Sequence, residues 1–339
     1  MIVALLLLAL LGMLVLVFDL GRVVAIRRDQ VNAADAAALA AAQQCAAGHT
    51  FTQAKTAATT LNTDNSSGAA ISFFDAPECT GDTNTLTQGA KYVTVDSTVN
   101  VQYFFAQIFG LDSGPVTTRA VAAWGPVEGV TSPVPIRLSL SALTPCISQV
   151  PGSSGPVCAF AFDDDPVTSQ WGILNFPEGW PTSGVGPVDC NSAGGQSDVN
   201  QYLMGTGAVF LASIPPDPGY VYACATSGAR ADTMNVIVDQ INAAAPNPYY
   251  LTFPVMSNTV PIIDLGGNQE AVPIIGFTVL RVLGAWFGQD AKLHCTFPDG
   301  VKNSSLFCIQ TQWDGGKIIS GGTPGTGPDF GARGIRLVG

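Results

Sequence analysis

Residues Met1 to Phe18 read MIVALLLLALLGMLVLVF, apolar throughout and without a single charge. The chain continues as DLGRVVAIRRDQVNAADAAALAAAQQCAA, and no proline occurs before Pro77. Such a stretch is best satisfied by one long helix, oily at its start and amphipathic and alanine-rich afterwards. At about 1.5 Å per residue the apolar run spans roughly 27 Å, close to the hydrocarbon thickness of a bilayer. A helix of this kind belongs in lipid or in the core of a helical filament, with the rest of the chain as its cargo. A cleavable signal peptide fits less well, because its apolar region would be shorter and would end at a small-residue cleavage site.

The flanking charges and the cysteines point in opposite directions. No basic residue precedes the run, whereas Arg22, Arg27 and Arg28 follow it. Taken alone, that would hold the bulk of the chain in the cytoplasm. Asp19, Asp29 and Asp35 balance the arginines, however, and Asp19 and Arg22 are spaced to pair on one helix face. A basic leader ahead of Met1 would also reconcile the two signals. The eight cysteines, Cys45, Cys79, Cys146, Cys158, Cys190, Cys224, Cys295 and Cys308, are widely spaced and contain no CxxC. Only His49 and His294 could join them as nitrogen ligands, so a zinc site is disfavoured and a disulfide framework outside the cytoplasm is expected. Eight cysteines allow 105 connectivities. Sequential pairing, Cys45–Cys79, Cys146–Cys158, Cys190–Cys224 and Cys295–Cys308, respects the domain boundaries below. Each such loop would stabilise by roughly 3–4 kcal/mol in the chain-entropy model.

Within the helix, Ala4–Leu11, Gly12-Met13, Asp19-Leu20-Gly21-Arg22 and the block Gln30-Val31-Asn32-Ala33-Ala34-Asp35-Ala36-Ala37-Ala38-Leu39-Ala40 occur in that order. This arrangement resembles the N-terminal signature of Tad (tight adherence) pilus-assembly proteins, the TadE/TadG-like minor pilins in particular. The resemblance is strong over residues 1 to about 47, looser to Trp124 and weaker beyond. Many pilins carry a glutamate near the start of the mature helix, where this chain has Leu5. That departure weighs against a self-polymerising major subunit. The resemblance implies a membrane-stored subunit extracted by an assembly machine, with other pilins as partners. Gly21 and Ala25, Ala33 and Ala37, and Ala34 and Ala38 are small residues four apart, a spacing that lets helices approach closely. They are expected to pack against a neighbouring subunit.

The 339 residues include 37 Gly and 23 Pro and are only 12% charged, which suits a multi-domain secreted cargo. A net charge of −11 argues against nucleic acid as a direct partner. Residues 1–48 form the stalk helix, and 49–124 an α+β pilin-like layer: a helix from Thr50 to Leu61 with a Thr50–Gln53 capping box, strands at Ala70–Phe74, Tyr92–Tyr103 and Val116–Trp124, and a short helix at Gln102–Leu111. Gly125–Pro135 reads as a linker. Residues 136–339 read as a β-rich region, with helices at Ser197–Met204 and Ala229–Ala244 and strands including Lys292–Phe297. Val272–Phe287 is apolar enough to raise a second span, but Pro273, Gly276, Arg281 and Gly284 interrupt it, and a buried strand is preferred. Gly315–Gly339 is expected to be irregular. The fold class is α+β: a long pilin-like helix, an α/β layer and a β-rich, disulfide-containing C-terminal domain.

No nucleophile elbow, zinc-protease motif or phosphate loop is present. No enzymatic activity and no cofactor are expected. Asp163, Asp164 and Asp165 form the one acidic cluster; they could hold Ca²⁺, although a solvated turn before Pro166 explains them more simply. His49 and His294 read as structural. Asn65-Ser66-Ser67 and Asn303-Ser304-Ser305 match the short glycosylation pattern. Trp171, Phe176, Trp180, Tyr249 and Tyr250 could form an adhesive surface, with core packing as the simpler role. The leading reading is a minor pilin or pilus-associated subunit. The alternative is a membrane-anchored extracytoplasmic adhesion or binding protein that never enters a filament.

Overall fold

The computed structural model describes residues 2–73, 79, 91–131, 133–147, 154–162, 171–174, 190, 211–215, 219–226, 231–266, 269–296, 306–319, 322–324 and 328–338. The first element is helix α1, Ile2–Ala46, uninterrupted as its breaker-free sequence demands. Gly48, at φ 83°, lets the chain turn back. Thr50 then caps α2 (Phe51–Asn65) in a capping box with Gln53. Strands β1 (Ala70–Phe73), β2 (Lys91–Gln102) and β3 (Ser113–Thr131) follow. They form an antiparallel sheet under the two helices, with Ile71 opposite Ser97 and Ser97 opposite Thr118.

The core of this unit is built from small residues. Ala34, Ala37, Ala38, Ala41, Ala42 and Ala46 of α1 meet Ala54 and Ala58 of α2. Val93, Val95, Ala120, Ala122 and Trp124 of the sheet close it from below. Alanine gives the helix its propensity and lets the backbones approach without side-chain entropy loss. The bulk comes instead from the β-branched residues of β2, at alternate positions along the strand.

The segment 125–135, read as a linker, does not separate two units along its first half. Residues 125–131 continue β3, and Pro126 pairs with Arg333 of β15 (Ala332–Leu337). The β2 register ends at Trp124, so Pro126, which has no N–H, falls where β3 has lost that neighbour. Nor is the tail irregular throughout. β13 (Lys317–Ile318), β14 (Thr323–Pro324) and β15 all join the first sheet, in the order β1-β2-β3-β15-β13. Its glycines admit close approach: the Gly334 position lies against the Gly322 backbone.

The second sheet is built from β4 (Ile136–Ser139), β5 (Val157–Phe162), β6 (Trp171–Leu174), β8 (Val221–Thr226), β9 (Tyr249–Met256), β11 (Gln269–Phe287) and β12 (Phe307–Gln312), with β10 (Ile263–Gly266) on β11. Pairings run from β11 through β8, β6, β4 and β9 back to β11, closing a ring. β7 (Leu211–Ser213) pairs instead with β3. The apolar run 272–287 is thus a strand, whose bulge near Gly276 leaves room for the Phe330 ring. One turn of helix, α3 (Leu140–Leu143), follows β4, and α4 (Ala231–Ala244) packs on β11. Residues 292–294, expected to begin the strand Lys292–Phe297, instead end the short helix α5 (Gln289–His294). Asp290 in its first turn and Lys292 and His294 in its last suit the helix dipole, which outweighs strand propensity over so short a run. The helix expected at 197–204 lies outside the described residues. The mixed α/β character stands: one N-terminal helix and a β-rich body with four disulfides.

Candidate functional site

The strands of the first sheet run alongside α1, and three polar residues of that helix, Gln30, Arg22 and Asp19, hold them in place. The Gln30 side chain is fully buried. Its Oε1 accepts from Ser97 Oγ at 2.7 Å, and its Nε2 donates to Ser66 Oγ. Thr118 Oγ1 donates to the Gln30 carbonyl at 2.9 Å. Eight residues earlier, Arg22 Nη1 donates to the Gln102 carbonyl at 3.1 Å. Its guanidinium also lies 4.5 Å from the centre of the Phe104 ring, a cation–π contact. Earlier still, the Asp19 carboxylate accepts three backbone N–H groups: Phe104 at 2.9 Å, Phe105 at 3.1 Å and Ala106 at 2.8 Å. The Phe18 and Phe105 rings sit 5.9 Å apart. β2 therefore descends α1 antiparallel, from Gln30 to Phe18, and its hairpin with β3 ends beside the apolar run.

Asp19 is the hinge pin of this arrangement. Burial pushes its carboxyl up, but the Phe104, Ala106 and Phe105 amides and the Arg22 charge outweigh that and hold it below its ordinary value. The direct Asp19–Arg22 ion pair expected from the spacing does not form. Both side chains turn to the 103–112 segment, because uncapped amides at the start of its 3₁₀ turn, Ala106–Phe109, offer the carboxylate better partners. Gly110, at φ 80°, closes that turn.

The small residues of α1 divide into two groups. Ala33, Ala34, Ala37 and Ala38 are fully buried, the last three in the core formed with the chain's own α2 and sheet. They cannot meet a neighbouring subunit as expected, because the alanine spacing that admits a foreign helix has admitted the chain's own. Gly21 and Ala25 are exposed. Beside them lie the exposed Val17, Leu20, Val24 and Val31, recurring at intervals of three, four and seven on one face of α1. The stripe is masked in the sequence by the alanine block next to it, which carries the stronger small-residue signal.

The eight cysteines form four disulfides, Cys45–Cys79, Cys146–Cys158, Cys190–Cys224 and Cys295–Cys308. The first ties the end of α1 to the segment before β2. Arg333 joins the opposite end of the chain to the same place: it pairs with Asp329 at 2.8 Å and donates to the Ala46 carbonyl at the C-terminus of α1. Deep in the second sheet, Arg137 is enclosed, with Nη1 2.9 Å from the Met256 sulfur. Burial pushes its guanidinium down to about 10, with Glu270 acting in the other direction.

Asp163, Asp164 and Asp165 lie outside the described residues, and no group of metal-ligating side chains occurs among the described ones. His49 is exposed, and His294 stacks on Trp286 at 3.7 Å beside the Cys295 disulfide. Asn65 bonds the Leu61 carbonyl at the end of α2, while Asn303 lies outside the described residues. Tyr249 and Tyr250 are half-buried; Phe176, Trp180 and the Trp171 side chain are outside the description. Among the described residues no helix is long and apolar enough to cross a membrane. The span expected over Met1–Phe18 falls largely on residues 4–11 and 14–16, whose side chains are outside it.

No curated protein and no solved structure matches the chain. A family model described as putative Flp pilus-assembly TadE/G-like matches residues 1–44. That segment contains the apolar run, Asp19 and Arg22, the exposed stripe and Gln30. The resemblance read from the sequence is thereby borne out over residues 1–44, which are similar to the TadE/G-like proteins of Flp pilus assembly.

Proposed function

We propose that the chain is a minor pilin or pilus-associated subunit of a Tad-type pilus, with a structural role and no reaction of its own. The apolar start of α1 holds it in the membrane before assembly, and the β-rich body is displayed outside the cytoplasm. The observation that carries this reading is the stripe Val17, Leu20, Val24 and Val31 with Gly21 and Ala25. It leaves α1 unpartnered along the stretch next to the apolar run, where a second helix would bury it at knobs-into-holes spacing. The family match over the same residues supports other pilins and the assembly machinery as partners. The four disulfides support an oxidising location for the body.

Immunogold labelling of sheared filaments with an antibody to residues 136–339 tests this. Gold on filaments, at the tip or along the shaft, is the expected result. Label confined to the membrane would overturn it in favour of an anchored binding protein that stays out of the fibre.

A further inference from the structure

The hairpin tip between β2 and β3 carries apolar side chains that the fold itself does not cover. Phe104 is 67% exposed, Ile108 77% and Leu111 59%. A short polar loop would serve the turn equally well, and hairpin tips are normally polar. The position of the tip is fixed. Ser97 bonds Gln30, Gln102 meets Arg22, and Phe104, Phe105 and Ala106 are held by Asp19. Descending α1 in that order, the tip arrives at Phe18, the last residue of the uncharged run. On the helix side, Val17, Phe18 and Leu20 are exposed at the same level. Apolar side chains thus surround the point where the apolar run ends, with Arg22 stacked on Phe104 at its rim.

We infer that this tip is a second membrane contact. Phe104, Ile108 and Leu111 sit in the interfacial layer of the bilayer when α1 is embedded, in the manner of interfacial aromatic and aliphatic anchors. The inference rests on the membrane-stored state proposed above and adds a lipid-binding surface outside α1. Lipid is the occupant because the patch is continuous with the end of an uncharged run of bilayer length. Arg22 holds its guanidinium at the rim of the patch, over the Phe104 ring and on the Gln102 carbonyl, where a charge meets the headgroup level. The carboxylate of Asp19, which would be costly in that layer, is already satisfied by three amides.

The test uses the full chain in phosphatidylcholine/phosphatidylglycerol vesicles. All native cysteines among the described residues are in disulfides, so Ile108→Cys provides a single thiol for an environment-sensitive nitrobenzoxadiazole label. Leu111→Cys repeats the measurement at a second site, and Leu265→Cys in β10 is the control. With vesicle-bound protein, nitroxide lipids labelled near the headgroup should quench the 108 and 111 probes by about twofold and leave the 265 probe unchanged. Flotation with vesicles but no quenching at 108 and 111 would overturn the tip contact while leaving the anchored state intact. A blue shift that depends on the protein-to-lipid ratio and not on nitroxide would overturn it in favour of a second copy of the chain. Failure to float at all would remove the anchored state and this inference together.

Discussion

Gln30 shows how much a single side chain can organise. It bonds Ser97 and Ser66 through its amide, and its carbonyl receives Thr118. Gln30→Ala should therefore strand the buried Ser97 hydroxyl and cost about 1–3 kcal/mol, read from chemical denaturation. Asp19 makes a pH-dependent prediction. Its folded-state pKa lies below the ordinary 3.8, so its contribution is present above that value and is lost as pH falls through the depressed one. Amide exchange at Phe104, Phe105 and Ala106 should accelerate relative to neighbouring amides in that acid window, and Asp19→Asn should abolish the effect. An unchanged exchange profile would mean that the carboxylate does not hold the tip. In the sequence, both residues belong to a motif that could be quoted but not explained. The spacing of Asp19 and Arg22 favoured a pair along the helix, whereas their real partners lie 80 or more residues away.

At the scale of elements, α1 divides into a face the protein uses for itself and a face it leaves open. Ala34→Trp with Ala38→Trp should overpack the first core and destabilise it by about 1–3 kcal/mol or more, visible as a lower denaturation midpoint. Val24→Arg should leave that midpoint unchanged while reducing filament incorporation, since Val24 touches solvent in the isolated chain. The helix itself, the capping box of α2 and the strand nature of 272–287 were legible because breakers, caps and β-branched runs act locally. The choice between α2 and a foreign helix as the cover for Ala33–Ala38 was not legible. Small-residue spacing states that something approaches closely, never what.

Over the whole molecule, the chain returns to its start. β15 lies beside β3, and Arg333 reaches the Ala46 carbonyl, so the first sheet is incomplete without the last residues. Removing residues 328–339 should expose the β3 edge and speed limited proteolysis of residues 91–131. Proteolysis at the wild-type rate would show that the tail is dispensable. Glycine-rich composition hid this, because the same residues that suggest an irregular tail also permit backbone to pack against backbone. Reduction of the disulfides should cost about 2–4 kcal/mol per bond, read as a lower calorimetric transition temperature in reductant. The central claim is that the open face of α1 is completed by another helix of the pilus system. A photo-crosslinking amino acid at Val24 in pilus-producing cells tests it most directly. An adduct with a second pilin-type chain in the sheared-filament fraction is expected; an adduct with lipid alone, or none, would contradict that completion.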